Sequence, residues 1–170
     1  MSNPESILQK YWGHTSFRNS QQKVIAEALM GNDVLALLPT GAGKSICFQI
    51  PALSKEGTCI VISPLIALMN DQVSRLKKKG IKAEFISGGM SPKQMDYTLD
   101  NCIYGETKFL YLSPERLNSI FVRERLKRMK INFIAVDEAH CISQWGHDFR
   151  PAFRSVTQIR EWAPKASIIA

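Results

Sequence analysis

The feature that most constrains this chain is a rhythm: short runs that are apolar on both faces alternate with longer stretches of helical period. Residues 34–38, 59–63, 83–87, 109–113, 133–137 and 167–170 are apolar nearly throughout and rich in β-branched or aromatic side chains, so strands are expected there. A strand without a polar face needs cover on both sides, which is the setting of a parallel sheet. The intervening segments supply that cover, with helices expected over 20–30, 44–54, 65–79, 91–102, 120–129 and 152–162. Gly31 and Gly80 end two of them. Ser91, Pro92 and Gln94 write the start of another as a cap, a first-turn proline and a capping-box partner. The repeat predicts an α/β fold, a three-layer sandwich whose mainly parallel β-sheet carries helices on both faces, with residues 1–170 as one domain.

Composition narrows the partners. A net charge of +7 and a pI near 9.4 favour phosphate-rich molecules, although the lysines at 77–79 and the basic stretch 123–130 equally suit the wet faces of helices. Cys47, Cys59, Cys102 and Cys141 stand singly, without zinc-ligand spacing, so no structural zinc is expected and reduced thiols are the default. No apolar run approaches the roughly 18 residues of a membrane span. Residues 1–9 lack the apolar centre of a signal peptide, and a cytoplasmic location is expected.

Leu37-Leu38-Pro39-Thr40-Gly41-Ala42-Gly43-Lys44-Ser45 follows an expected strand and opens an expected helix, the context a phosphate loop requires. Thr40, Gly41, Ala42 and Gly43 would turn successive backbone N–H groups onto a β-phosphate, Lys44 would reach the β and γ oxygens, and Ser45 would ligate Mg²⁺. Leu38 stands where the general pattern has its first glycine. The form matches the version found in helicase-type ATPases.

A second acidic half is expected at another strand end. Phe133-Ile134-Ala135-Val136-Asp137-Glu138-Ala139-His140 runs four apolar residues into two carboxylates. Asp137 would hold Mg²⁺ and Glu138 would orient and deprotonate a water, one acid for each task of phosphate hydrolysis. Ser63-Pro64 and Ser113-Pro114 each fall where a strand gives way to a helix, at the sheet edge where anions gather. Either turn could hold nucleic-acid phosphates, and either is equally ordinary architecture.

Asp137-Glu138-Ala139-His140 spells a DEAH box, and the run that follows, Cys141-Ile142-Ser143-Gln144-Trp145-Gly146-His147-Asp148-Phe149-Arg150-Pro151, resembles the aromatic-rich loop of RecQ DNA helicases of the bacterial type. Trp12-Gly13-His14-Thr15-Ser16-Phe17-Arg18-Asn19-Ser20-Gln21 resembles that family's adenine-recognition motif. Ser63-Pro64-Leu65-Ile66-Ala67-Leu68-Met69-Asn70-Asp71-Gln72-Val73 resembles its motif Ia, and Tyr111-Leu112-Ser113-Pro114-Glu115-Arg116-Leu117 a further block. The resemblance runs from about Leu8 to the end of the chain.

It implies a RecA-like, P-loop NTPase domain that binds ATP and Mg²⁺. Gln21 would read the adenine edge, Arg18 would hold the base or neighbouring ribose and phosphates, and Tyr11 or Trp12 would flank the ring. His140 and Gln144 would join Lys44, Asp137 and Glu138 in catalysis. Ser63, Pro64, Trp145, His147, Phe149 and Arg150 would contact DNA, the aromatics by stacking on bases. The partners implied are single-stranded and partly duplex DNA, met at the bacterial nucleoid. The resemblance further implies the first of two motor domains, so that 3′ to 5′ unwinding in repair and recombination belongs to a longer protein and this stretch alone hydrolyses ATP poorly. A nucleotide-gated binding module and a DEAH-type RNA helicase domain are the alternatives.

Overall fold

A computed structural model describes residues 3–39, 41–142 and 156–170. Helix α1 (Pro4–Trp12) precedes α2 (Asn19–Met30) and α3 (Lys44–Ser54), and strand β1 (Thr58–Ile62) leads into α4 (Ile66–Lys78). Then follow β2 (Ala83–Ile86), α5 (Pro92–Tyr104), β3 (Phe109–Leu112), α6 (Ile120–Leu126), β4 (Ile131–Val136), α7 (Val156–Trp162) and β5 (Ser167–Ile169). The five strands form one parallel sheet in the order β2-β3-β1-β4-β5.

Alternate residues of each strand serve opposite faces, and the core divides accordingly. Ile60, Ile62, Leu110, Leu112, Ile134 and Val136 pack against Leu99 of α5, Val122 and Leu126 of α6 and Ile159 of α7. Cys59, Val61, Phe109, Tyr111, Phe133 and Ala135 pack against Ala28 of α2, Phe48 and Ala52 of α3, and Met69, Val73 and Leu76 of α4. These are the three layers expected from the strand–helix rhythm. No helix among the described residues is long and apolar enough to cross a membrane.

Two departures from the sequence reading have local causes. Helix α1 was not expected, yet its start is locally specified: Asn3 Oδ1 accepts from the N–H groups of Glu5 and Ser6, Pro4 occupies the first turn, and Gly13 closes the helix at φ 74°. Ile7 and Leu8 then bury against Ile25 of α2 and Ile50 of α3, forming a fourth layer of packing outside the sheet. Conversely, 34–38 is not a strand. It is an extended segment whose pairing is a single bridge, Val34 to Ile169, with N–H groups of Val34 and Ala36 donating to the carbonyls of Ile168 and Ala170. Only its inward side is covered: Leu35 and Leu37 remain 68% and 85% exposed.

Candidate nucleotide site at the carboxyl edge of the sheet

The extended segment delivers the chain to the glycine-rich turn. The Ala42 N–H donates to the Pro39 carbonyl at 3.2 Å, and Gly41 and Gly43 take φ of 79° and 75°, a region that side chains with a Cβ rarely occupy. Gly43 is needed for space as well, because a Cβ there would lie 2.5 Å from the Gln21 Nε2. It is also the N-cap of α3 and supplies no side-chain acceptor, so the first N–H groups of the helix keep their capacity to hold an anion. Lys44 is exposed and Ser45 half-buried at that helix start. Thr40 lies outside the described residues.

Arg18 and Gln21 come to this loop from the start of α2. The Gln21 Oε1 accepts from the Arg18 N–H at 3.1 Å, while its Nε2 donates to the carbonyl of Ala42 at 2.8 Å and approaches that of Gly43 at 3.4 Å. Arg18 Nη1 donates to the Gly41 carbonyl at 3.1 Å. Gln21, expected to read the base, and Arg18, expected to hold the base or the neighbouring ribose and phosphates, therefore both bind the glycine-rich loop here, and the buried Gln21 amide has both ends engaged within the protein. Trp12 lines the neighbouring cleft, with the Lys79 ammonium 5.4 Å from its ring centroid.

The acidic half arrives on β4, next to the central strand β1. The Asp137 N–H donates to the Ile62 carbonyl at 2.8 Å, extending the ladder by one residue and fixing where its side chain emerges. Burial pushes the Asp137 carboxyl above its ordinary 3.8 and the Glu138 charge adds to this; a Gln72 hydrogen bond and the positive charge of Lys44 oppose it. Glu138 takes φ of 54° and is the only non-glycine residue with positive φ among the described residues. The His140 Nδ1 lies 3.2 Å from the Glu138 Oε2. A 3-10 turn, Ala139–Ile142, carries the histidine.

A cleft of about 740 Å³ runs between the start of α3 and α4, lined by Trp12, Gly43, Ser45, Gln49, Gln72 and Lys79 among others. Gln72 spans the gap, because its Nε2 donates to the Asp137 Oδ2 at 3.4 Å while its own helix forms the cleft wall. A second cleft, of about 780 Å³, lies at the amino ends of the strands. Lys82 and Lys130 on its rim are paired with Glu106 and Glu56, whereas Gly43 and Ser45 at the start of α3 line the first cleft.

The residues expected to contact DNA divide differently. Ser63 and Pro64 are buried, and the Ser63 hydroxyl has no hydrogen-bond partner among the described residues. Their side chains therefore do not form the surface of the turn; Leu65, Ile66 and Ala67 do. Leu65 caps α4 without a side-chain acceptor, which leaves backbone N–H groups rather than the serine as the turn's polar offering. Gln144, Trp145, His147, Phe149 and Arg150 lie outside the described residues. The sequence reading assigned no role to Gln49, Gln72 or Tyr111, although a polar Gln49 within the otherwise apolar 46–53 stretch of α3 was a readable signal.

Known proteins resemble the chain in sequence and in fold. A family model described as DEAD/DEAH box helicase matches residues 18–170. A protein of Haemophilus influenzae named ATP-dependent DNA helicase RecQ is 46% identical over 167 residues, which cover 97% of this chain and 27% of that protein. The Bacillus subtilis protein of the same name is 45% identical over 168 residues, covering 98% of this chain and 28% of its own length. The chain thus spans about a quarter of the length of these relatives. Among solved structures, the helicase MrfA bound to DNA and AMPPNP superposes with a TM-score of 0.80 at 16% identity, over 99% of this chain and 26% of that one. A hypothetical ATP-dependent RNA helicase from Sulfolobus tokodaii superposes at 0.70 with 20% identity, over 99% of this chain and 49% of that one.

Proposed function

The chain belongs to the DEAD/DEAH box helicase family, and we propose that it is the ATP-binding motor domain of a RecQ-type DNA helicase, in which hydrolysis of ATP drives movement along DNA in a longer protein. The observation that carries this reading is the convergence of a phosphate loop and an acidic pair from distant parts of the sequence on one side of the sheet, close enough for the Lys44 charge to act on Asp137. The RecQ names of the relatives point to DNA as the polymer.

In this reading the amides from Gly41 to Ser45 hold the β-phosphate and Lys44 neutralises the β and γ oxygens. Ser45 and Asp137 offer hydroxyl and carboxylate oxygens, hard ligands suited to Mg²⁺, and the buried Asp137 beside Glu138 is an acidic pair that a divalent cation would relieve. When bound, that ion supplies charge neutralisation at the phosphates. Glu138 takes the proton of the attacking water, and His140, in contact with its carboxylate, steadies its direction. Arg18 and Gln21, now on the loop, turn to ribose, phosphate or base on binding. DNA lies across the exposed start of α4 and residues 143–151, whose aromatics stack on bases and whose Gln144 and His147 report to the hydrolytic water. Single-stranded and partly duplex DNA are the polymers taken.

Nucleotide binding and single-stranded DNA binding by this chain, with Lys44→Ala and Asp137→Ala beside it, test the reading. Binding of ATP that needs both residues, and preference for DNA over RNA of equal length, is the expected outcome. ATP binding unaffected by Lys44→Ala would overturn it, and preference for RNA would move the chain to the RNA helicases.

A further inference from the structure

Four polar side chains from four elements form one hydrogen-bonded line through the layer between the sheet and α3/α4. Gln49 of α3 donates through Nε2 to the Tyr111 hydroxyl at 3.4 Å. Tyr111 of β3 donates through that hydroxyl to the Gln72 Oε1 at 2.9 Å. Gln72 of α4 donates through Nε2 to the Asp137 Oδ2 at 3.4 Å. Gln49 is 6% exposed and Tyr111 fully buried.

With Asp137 ionised, as a metal ligand must be, the line runs in one sense only. An ionised carboxylate accepts and cannot donate, so Gln72 must turn its NH₂ to Asp137, which leaves its carbonyl oxygen facing Tyr111. That oxygen requires the hydroxyl as donor, and the hydroxyl's remaining lone pair then takes the Gln49 amide. Burial pushes the Tyr111 hydroxyl far above its ordinary pKa, so it remains protonated and able to donate. An apolar core of this volume could be filled by Phe and Leu without desolvating two amides and a phenol, a cost recovered only when every group is paired. The far end is as informative as the near one: Gln49 lies one turn beyond Ser45 on α3, so the line ties together the two elements that carry the proposed Mg²⁺ ligands.

We infer that Gln72, held by Tyr111 and Gln49, is a positioning residue that engages one oxygen of Asp137 and aims the other at the metal of the nucleotide site. The inference rests on the nucleotide-site reading above. It also makes α4, whose first turn is the proposed DNA contact, a direct mechanical neighbour of the metal ligand.

The test is a titration of Mg²⁺, and separately Mn²⁺, into this chain with a fluorescent ATP analogue, comparing wild type, Gln72→Met, Tyr111→Phe and the double variant. Loss of a residue that orients a metal ligand typically weakens metal affinity about 10- to 100-fold. Gln72→Met is expected to lose that much in metal affinity while its metal-free affinity for the nucleotide stays within about twofold of wild type, a split that general damage to the core would not produce. Tyr111→Phe keeps the ring and its packing, and is expected to shift metal affinity in the same direction by less. The double variant is expected to be no worse than Gln72→Met, because both changes break one line. Metal affinity unchanged in Tyr111→Phe and Gln72→Met, or additive losses in the double variant, would overturn the inference while leaving the nucleotide site intact. Absence of any metal-dependent nucleotide binding by the wild type would remove the site and the positioning role together.

Discussion

The side-chain amide of Gln21 donates to the main-chain carbonyl of Ala42 at 2.8 Å, so the residue expected to recognise a base already holds the loop expected to hold its phosphates. The proposed base recognition and the loop geometry would thereby be linked through one side chain. Gln21→Ala removes the partner of a carbonyl on the buried Ala42, at a cost of about 1–3 kcal/mol. The expected result is ATP affinity lowered by about ten- to a hundredfold with the preference for ATP over GTP erased, read by competition against a fluorescent nucleotide.

Gly43→Ala tests the same contact from the other side. The left-handed φ of 75° costs an L side chain about 1–2 kcal/mol, and the new Cβ must displace the Gln21 amide from 2.5 Å. Thermal melts should show a drop of several degrees, and nucleotide binding should fall by more than in Gln21→Ala.

Glu138 holds a φ of 54° with no glycine to make it easy. Such strain in a residue at a candidate catalytic position trades stability for placement of the carboxylate. Glu138→Gly should therefore raise stability by roughly 1 kcal/mol in denaturant melts while abolishing hydrolysis. Glu138→Gln should leave stability and ATP binding near wild type and still abolish turnover. A destabilised Glu138→Gly would show that the backbone there is not strained.

Acid sensitivity should have a contribution from Asp33. Burial pushes this carboxyl up, but the Ile168 N–H and the Arg160 guanidinium together hold it below its ordinary 3.8. A depressed folded value means that the group stabilises the fold above the unfolded value and that this stabilisation is lost as pH falls through the folded one. Asp33→Asn should flatten the fall in stability as pH drops below the ordinary 3.8, relative to wild type. Because Asp33 ties the Val34 bridge to β5, the same variant should loosen the approach to the phosphate loop.

The sheet was legible because its strands are apolar on both faces and its helices carry stops; the observed bounds of β1 to β5 differ from expectation by a residue or two. Residues 34–38 misled for a physical reason. Their apolar side chains read as a strand covered on both faces, whereas Leu35 and Leu37 face outward and pairing is limited to one bridge. Helix α1 leaves a weak pattern because only Ile7 and Leu8 of its residues are buried, although Asn3, Pro4 and Gly13 specify its ends. Motif spacing singled out the loop, Asp137 and Glu138 as candidates, since the chemistry expected of them depends on residue type and order. It could not reveal the line through Gln49, Tyr111 and Gln72, because hydrogen bonds between four separate elements leave no local pattern. Nor could it show that Ser63 and Pro64 are buried beneath the turn they begin.

The most direct test of the account is a crystal structure of this chain with Mg²⁺ and a non-hydrolysable ATP analogue. The account predicts triphosphate on the amides from Gly41 to Ser45, with the metal held between the Ser45 hydroxyl and the Asp137 carboxylate at the carboxyl edge of the sheet. Nucleotide seated instead in the cleft at the amino ends of the strands, beside Lys82 and Lys130, would contradict it.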